Sequence, residues 1–151
     1  MIYNIVMKII NYENKDYIFK ILKSQLSADL RRYKNEVYYV ATQNSIICGI
    51  SRYSILTEED LARPDFDIFD IDKNVVTKNN PVNYLSGVWV NERYRGKGVG
   101  TSLLDSRMEH IKNNGIIITD VRLTSSLADI YKDKYHMQEL QKTDSYYILK
   151  K

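Results

Sequence analysis

Short apolar runs rich in Ile, Val and Tyr recur along the chain and predict β-strands. The runs cover residues 5–10, 36–42, 46–53, 84–90, 116–123, 137–140 and 146–150. A short polar turn joins the second run to the third, and another joins the last two, so each of these pairs predicts an antiparallel hairpin. The fourth and fifth runs are separated by a helix-length segment, which predicts a parallel pair joined by a crossover.

Apolar residues spaced by three and four predict helices between the strands. The first follows the capping residues at 14–16 and presents Tyr17, Ile18, Ile21, Leu22 and Leu26. A second, short helix is expected over 28–33. The third covers 101–113, with Gly115 as its C-cap and an apolar face formed by Val99, Leu103, Leu104, Met108 and Ile111. A last helix covers 127–134, and Ser125 or Ser126 can cap it.

Residues 54–83 follow neither pattern and form the least regular part of the sequence. Seven acidic residues lie between Glu58 and Lys73, where Arg63 and Lys73 are the basic residues. A solvated acidic loop accounts for this composition. The alternative is a loop that lines a site for a cationic acceptor, since long loops in compact domains are often functional.

Composition places the chain among globular proteins and excludes several classes. Its 151 residues predict one domain, and a net charge of +3 is too small to indicate nucleic-acid binding. The 13 tyrosines are compatible with stacking on RNA bases, but no RNA-binding motif accompanies them. No apolar run is long enough for a membrane span and no signal peptide is evident, so we expect a cytoplasmic protein. The single Cys48 lies in an apolar run and is interpreted as a buried structural thiol, and no spacing indicates a metal site.

A glycine-rich turn is the feature most informative about function. It follows the apolar run Val88-Trp89-Val90, precedes the third predicted helix and reads Arg95-Gly96-Lys97-Gly98-Val99-Gly100. Glycines allow close approach of a ligand to the backbone, and a helix beginning there directs unpaired N–H groups at it. Such a turn favours phosphate. The spacing fits neither the P-loop nor the dinucleotide fingerprint.

The stretch 90–100 instead fits Arg/Gln-x-x-Gly-x-Gly/Ala, filled by Arg95, Gly98 and Gly100. It resembles the acetyl-CoA-binding segment of the GNAT superfamily of N-acetyltransferases. A second match covers 128–137, with Ser125 where the family often has Asn and His136-Met137 where Gly-Phe is common. The resemblance covers most of the chain. It implies an α+β fold of α/β/α layers, in which about four helices flank a mixed, splayed sheet of six to seven strands.

The resemblance also implies roles for individual residues. Backbone N–H groups would hold the pyrophosphate of coenzyme A at Arg95, Gly96, Lys97, Gly98, Val99, Gly100 and Thr101. Ser125 is a further expected cofactor contact, and Val88 and Val90 would bind pantetheine through their backbone. The Val88 N–H would polarise the thioester carbonyl. Tyr131 matches the tyrosine that protonates the leaving thiolate.

These residues together predict an acetyl-CoA-dependent N-acetyltransferase that acts by direct transfer in a ternary complex. The acceptor would be a small amine or a peptide. Members of the family are often dimers, so the resemblance is compatible with a homodimer. No general base is identified, because strand 84–90 carries no acid and Glu92 lies beyond its end. Three alternatives remain: a catalytically silent acyl-CoA-binding module, a protein N-terminal or lysine acetyltransferase, and an RNA- or protein-interaction domain.

Four candidate side chains also have purely structural interpretations. Tyr131 can pack in the core, and Trp89 can pack between its apolar neighbours. His110 is expected on the exposed side of its helix. His136 is expected to be a hairpin residue rather than a catalytic one.

Overall fold

The computed structural model describes residues 6–10, 14–26 and 30–151. The strands in these ranges are β1 (Val6–Ile10), β2 (Glu36–Gln43), β3 (Ile46–Ile55), β4 (Val82–Val90), β5 (Ile116–Arg122), β6 (Gln138–Lys142) and β7 (Tyr146–Lys150). The α-helices are α1 (Lys15–Gln25), α2 (Glu58–Leu61), α3 (Val99–Ile111) and α4 (Leu127–Asp133). Short 3-10 helices cover Pro64–Phe69, Lys73–Val75 and Glu92–Tyr94.

The strands hydrogen bond in the order β1-β2-β3-β4-β5-β7-β6. The pairs β1–β2, β2–β3, β5–β7 and β6–β7 are antiparallel, whereas β4 and β5 are parallel. The crossover through α3 explains the parallel pair, since a hairpin turn cannot join parallel strands. The predicted α+β fold, with a mixed sheet of six to seven strands and about four helices, is confirmed.

Two local predictions are wrong. Residues 30–33, expected to be helical, have no helix, while 28–29 lie outside the described residues, as does Ile5 of the first strand. The backbone there bonds to buried side chains instead: the Arg31 carbonyl accepts from Arg52, and the Tyr33 N–H donates to Glu36. The third helix ends at Ile111, and its C-cap is Lys112 (φ +47°) rather than Gly115.

Residues 54–83 are more regular than the sequence suggests. Thr57 and Asp60 form a capping box that starts α2, in which each side chain accepts a hydrogen bond from the other residue's backbone N–H. The two 3-10 helices follow, and Phe66 and Phe69 are buried. Most of the acidic side chains in this segment are exposed, as expected for a solvated segment.

The chain divides into two compact units, of which the first contains residues 1–54 and 86–112. Helix α1 packs its apolar face on β2 and β3, where the core comprises Ile18, Phe19, Leu22, Tyr38, Val40 and Ile50. Helix α3 approaches β3 closely at Gly49, because a Cβ there would lie 2.8 Å from Leu103 Cδ1 and 2.9 Å from the Trp89 carbonyl oxygen. The predicted apolar face of α3 is buried except at Met108, and Arg107, which was not predicted to be buried, lies within it.

The second unit contains residues 55–85 and 113–151. Strand β5 lies between the first residues of β4 and strand β7, and α4 contacts it. Gly115 (φ +107°) directly precedes β5. A residue with a Cβ would not fit there, because the Cβ would lie 2.2 Å from the Pro81 carbonyl oxygen. None of the helices within the described ranges is long and apolar enough to cross a membrane.

Candidate active site

The glycine-rich turn lies between β4 and α3, in the first unit. Gly96 and Gly98 have φ values of +73° and +83°, a conformation that disfavours residues with a Cβ. Apart from the glycine itself and its two chain neighbours, no atom of the described residues lies within 4 Å of a Cβ built at either position. The turn is therefore a bare backbone surface.

Two side chains of the turn fold back onto the backbone that precedes it. Arg95 Nε donates to the Val90 carbonyl oxygen at 3.2 Å, and Lys97 Nζ donates to the Arg93 carbonyl oxygen at 3.1 Å. Both side chains are exposed. Their charges consequently lie beside the turn, where they favour an anionic ligand.

Helix α3 begins at Val99, and its N-cap residue, Gly98, has no side chain with which to cap it. The N–H groups of Val99, Gly100 and Thr101 belong to its first turn, where the helix itself supplies no acceptors. The helix dipole adds partial positive charge at the same end. Together with the bare turn, these donors fit a phosphate-bearing ligand such as the diphosphate of coenzyme A.

A buried ion pair fixes β4 just before this turn. Arg52 and Glu36, each 1% exposed at the side chain, lie 2.9 Å apart between Nη1 and Oε2. Arg52 Nε and Nη2 both donate to the Ser86 carbonyl oxygen, at 3.1 Å and 2.8 Å. A buried guanidinium needs an acceptor for each donor, so this arrangement holds the Ser86–Gly87 peptide in one orientation.

Gly87 follows that peptide with φ +145°, and a Cβ there would lie 3.1 Å from Leu22 Cδ2. The positive φ and the close contact both disfavour a residue with a Cβ at this position. Val88, Trp89 and Val90 come next and are half-buried. Trp89 packs against the core of the first unit, in agreement with its structural interpretation.

Tyr131 and Ser125 lie in the second unit. Tyr131 is 2% exposed on α4; its carbonyl accepts from the Met137 N–H, and its ring lies 6.2 Å from that of Tyr135. Ser126 is the N-cap residue of α4, and Ser125, one residue earlier, accepts a hydrogen bond from the Leu127 N–H through its Oγ at 3.2 Å. His136 has φ +60°, which explains why glycine suits this position.

Sequence reasoning missed a side-chain pair between β4 and β5. Tyr84 Oη donates to Asp120 Oδ1 at 2.6 Å, and both residues are partly buried. Tyr84 is the last residue of the parallel register, opposite Ile118, and Thr119 Oγ1 then donates to the Leu85 carbonyl oxygen at 2.9 Å. The available signal was the one acidic residue in the apolar run 116–123.

The acidic segment contacts Tyr84 through its aromatic residues. Phe66 and Phe69 lie 5.4 Å and 6.2 Å from the Tyr84 ring, measured between centroids, and both contacts are edge-on. Lys150 Nζ donates to the Asp70 carbonyl oxygen at 3.0 Å. These contacts anchor the segment to β4 and β7.

The other candidate side chains have structural surroundings. Cys48 is buried, and burial raises the pKa of its thiol, which disfavours the nucleophilic thiolate. His110 is exposed, as expected, and its Nδ1 lies 2.7 Å from the Tyr53 hydroxyl. No group of His, Cys, Asp and Glu within the described part of the chain could hold a metal ion.

Comparisons with known proteins agree with this fold. The family model described as "Acetyltransferase (GNAT) family" matches residues 6–131. None of the curated proteins compared with the chain resembles it in sequence.

Solved structures resemble the chain over nearly its whole length. Arabidopsis thaliana NAA60 in complex with acetyl-CoA shares 13% identity at a TM-score of 0.64, covering 98% of each chain. Arabidopsis thaliana Naa50 in complex with the bisubstrate analogue CoA-Ac-MVNAL shares 16% identity at a TM-score of 0.64, covering 97% of each. The ribosomal-protein-S18-alanine N-acetyltransferase from Escherichia coli shares 12% identity at a TM-score of 0.60, covering 96% of this chain and 90% of that one. The chain belongs to the acetyltransferase (GNAT) family, and it is an acyltransferase whose co-substrate is acetyl-CoA.

Proposed function

We propose that this enzyme transfers the acetyl group of acetyl-CoA to a primary amine by direct attack in a ternary complex. The observation that supports the proposal best is the bare turn at 95–98 leading into the uncapped start of α3. Backbone N–H groups from Arg95 to Thr101 would hold the diphosphate. Val88 and Val90 would bind the pantetheine arm through their backbone, and Ser125 would add a contact.

Two residues would assist the transfer itself. The Val88 N–H would stabilise negative charge developing on the thioester carbonyl oxygen, and Arg52 would fix the strand two residues upstream. Tyr131 would protonate the departing thiolate. A phenol suits that role because it carries a proton that it can donate to the thiolate.

The Tyr131→Phe variant tests the acid role. We expect kcat to fall by roughly 100-fold, within the range for general acid catalysis, while the Kd for acetyl-CoA changes little. Tyr135→Phe, which alters a partly exposed tyrosine next to the same ring, is the matched control and should keep wild-type kcat. Full activity of the Tyr131→Phe variant would remove this residue from the mechanism.

The proposed acceptor is a cationic small amine. Asp65, Asp67, Asp70 and Asp72 are exposed on a segment anchored to β4 by two aromatic contacts. An ion pair between exposed charges contributes about 0.2–1 kcal/mol to an interaction. The four aspartates together would therefore change the affinity for a cationic acceptor roughly tenfold. The solved structures favour a second candidate, a peptide N-terminus, since one relative is named as an alanine N-acetyltransferase of a ribosomal protein.

A single screen separates these possibilities. Acetyl-CoA binding is measured by calorimetry, and thiol release is followed with spermidine, lysine and a pentapeptide with a free N-terminus. Replacing the four aspartates by asparagine should raise the KM for spermidine about tenfold and leave that for acetyl-CoA unchanged. Glu58→Gln with Glu59→Gln, exposed on α2, is the matched control. Binding of acetyl-CoA without thiol release would identify a silent binding module instead.

A further inference from the structure

A pocket lies at the end of the β5–β7 strand pair, within the second unit. Its volume is about 430 Å³, which is in the size range of small-molecule sites. We call it the hairpin pocket, and its lining residues are Arg122, Leu123, Thr124, Asp144, Ser145 and Tyr146. None of these residues takes part in the acetyl transfer proposed above.

A turn that follows β5 forms one side of the hairpin pocket. Arg122 pairs with Tyr146 in the antiparallel register, and the Leu123 N–H extends this ladder by donating to the Ser145 carbonyl oxygen at 3.1 Å. The chain then turns, because the Arg122 carbonyl oxygen accepts from the Ser125 N–H at 3.0 Å. The residues between these two bonds therefore have a defined backbone.

The turn between β6 and β7 forms the other side. Thr143 Oγ1 accepts from the N–H groups of Ser145 and Tyr146, at 3.2 Å and 2.9 Å. The Thr143 N–H donates to the Tyr146 carbonyl oxygen at 2.8 Å. Both sides of the pocket are thus hydrogen bonded without a ligand, so little backbone has to be ordered when a ligand binds.

Opposite charges line the hairpin pocket. Arg122 and Asp144 are exposed, and within the described part of the chain neither side chain forms an ion pair or a hydrogen bond. A ligand with a single charge would pair with one of these groups and be repelled by the other. A zwitterion can pair with both, so the lining selects for a ligand that carries both charges.

We propose that the hairpin pocket binds a free α-amino acid, whose carboxylate pairs with Arg122 and whose ammonium group pairs with Asp144. A guanidinium suits the carboxylate because it offers two parallel N–H donors. An ammonium group has three donors and suits the aspartate oxygens. The hydroxyl groups of Thr124 and Ser145 add further hydrogen-bonding capacity to the lining.

The rest of the lining fits an apolar side chain on the amino acid. Leu123 and Tyr146 are half-buried, and they contribute aliphatic and aromatic surface beside the charged groups. Aromatic rings favour contact with one another beyond the area that they bury. Phenylalanine is therefore the probe that matches both parts of the pocket.

Three ligands that share a phenyl ring test the proposal by calorimetric titration of the full chain without acetyl-CoA. L-Phenylalanine carries both charges, phenethylamine lacks the carboxylate, and 3-phenylpropanoate lacks the ammonium group. We expect a Kd on the order of 1 mM for phenylalanine, because the charged side chains are exposed. It should bind at least about fivefold more tightly than either analogue, since an exposed ion pair is worth up to about fivefold in affinity.

Two variants assign the charges. Arg122→Gln should remove the preference for phenylalanine over phenethylamine, because the carboxylate then has no guanidinium to pair with. Asp144→Asn should remove the preference for phenylalanine over 3-phenylpropanoate. Lys78→Gln and Asp133→Asn, which remove exposed charges elsewhere in the same unit, are the matched controls and should keep the wild-type affinities.

Amide shifts in 1H–15N spectra locate the ligand. Phenylalanine should move the resonances of residues 122–124 and 144–146 most strongly in the wild type. Shifts centred elsewhere, equal affinities for the three ligands, or an unchanged preference in both charge variants would overturn the inference. Absence of binding at about tenfold the expected Kd would also overturn it.

These measurements are independent of the proposed acetyl transfer. They use neither acetyl-CoA nor turnover, so a chain that acetylates no amine is still expected to bind phenylalanine in the hairpin pocket. Absence of phenylalanine binding would in turn leave the proposed function unchanged.

Discussion

Replacement of Gly98 by alanine tests the proposed binding of the coenzyme A diphosphate to the backbone of the glycine-rich turn. The residue has φ +83°, and among the described residues nothing lies within 4 Å of an added Cβ. The substitution therefore causes no internal clash. Its cost is conformational, about 1–2 kcal/mol for a left-handed L-residue, offset by about 0.5–1 kcal/mol because alanine loses less entropy on folding.

The expected net destabilisation is about 0.5–1 kcal/mol, which lowers the Tm by roughly 1–4 °C in a domain of this size. The effect on acetyl-CoA should be larger. The new methyl group projects into the space where a phosphate would meet the backbone, and each charge-assisted hydrogen bond lost costs about 1.5–3 kcal/mol. The Kd for acetyl-CoA should therefore rise at least about tenfold.

Calorimetric titration and thermal unfolding, with and without acetyl-CoA, measure both quantities. Asn44→Ala is the matched control, because Asn44 also has a positive φ (+50°) but lies in the β2–β3 turn of the same unit. It should lower the Tm by a comparable amount and leave the Kd unchanged. A Gly98→Ala variant that binds acetyl-CoA as tightly as the wild type would refute the assignment of the diphosphate to this backbone.

Three further predictions concern stability. Arg52→Met should lower the free energy of unfolding in urea by about 3 kcal/mol, since it removes the buried partner of Glu36; an unchanged midpoint would contradict this. His136→Gly should raise stability by about 0.5–1 kcal/mol by relieving φ +60°, and a lower Tm would show that the histidine makes a compensating contact. Burial raises the pKa of the Tyr39 hydroxyl, and so the fold favours its neutral form; stability from this group is present below about pH 10 and is lost at higher pH. Tyr39→Phe should therefore flatten the decline in stability above pH 10. It should not lower stability at pH 7, because that hydroxyl is buried with no hydrogen-bond partner among the described residues. An equally steep decline would exclude Tyr39 as its source.

The sequence predicts well what depends on local pattern. The strand, the glycine-rich turn and the helix after it are all local features, and the structure confirms their order, with positive φ at Gly96 and Gly98. His136 is a similar case, because the departure from the common glycine is visible in the sequence and its φ is positive.

Long-range polar contacts could not be predicted in this way. Arg52 and Arg107 look like exposed residues by type, and only the arrangement of distant strands gives their guanidinium groups acceptors. The absence of the expected helix at residues 30–33 has the same origin, since the Arg31 carbonyl and the Tyr33 N–H bond to Arg52 and Glu36 rather than to a next helical turn. Tyr84 and Asp120 are 36 positions apart, so their pairing depends on the register of β4 with β5.

Because translation proceeds from the N-terminus, the Arg52 guanidinium is synthesised before one of its buried acceptors. Its carbonyl acceptor at Ser86 lies 34 positions downstream. At about 5–20 residues per second, a ribosome adds Ser86 roughly 2–7 seconds after Arg52. During that interval Glu36 and the Arg31 carbonyl are already available to Arg52 Nη1, whereas Nε and Nη2 have water as their partner. The hairpin of β2 and β3 therefore keeps part of the Arg52 guanidinium hydrated until Ser86 has been translated.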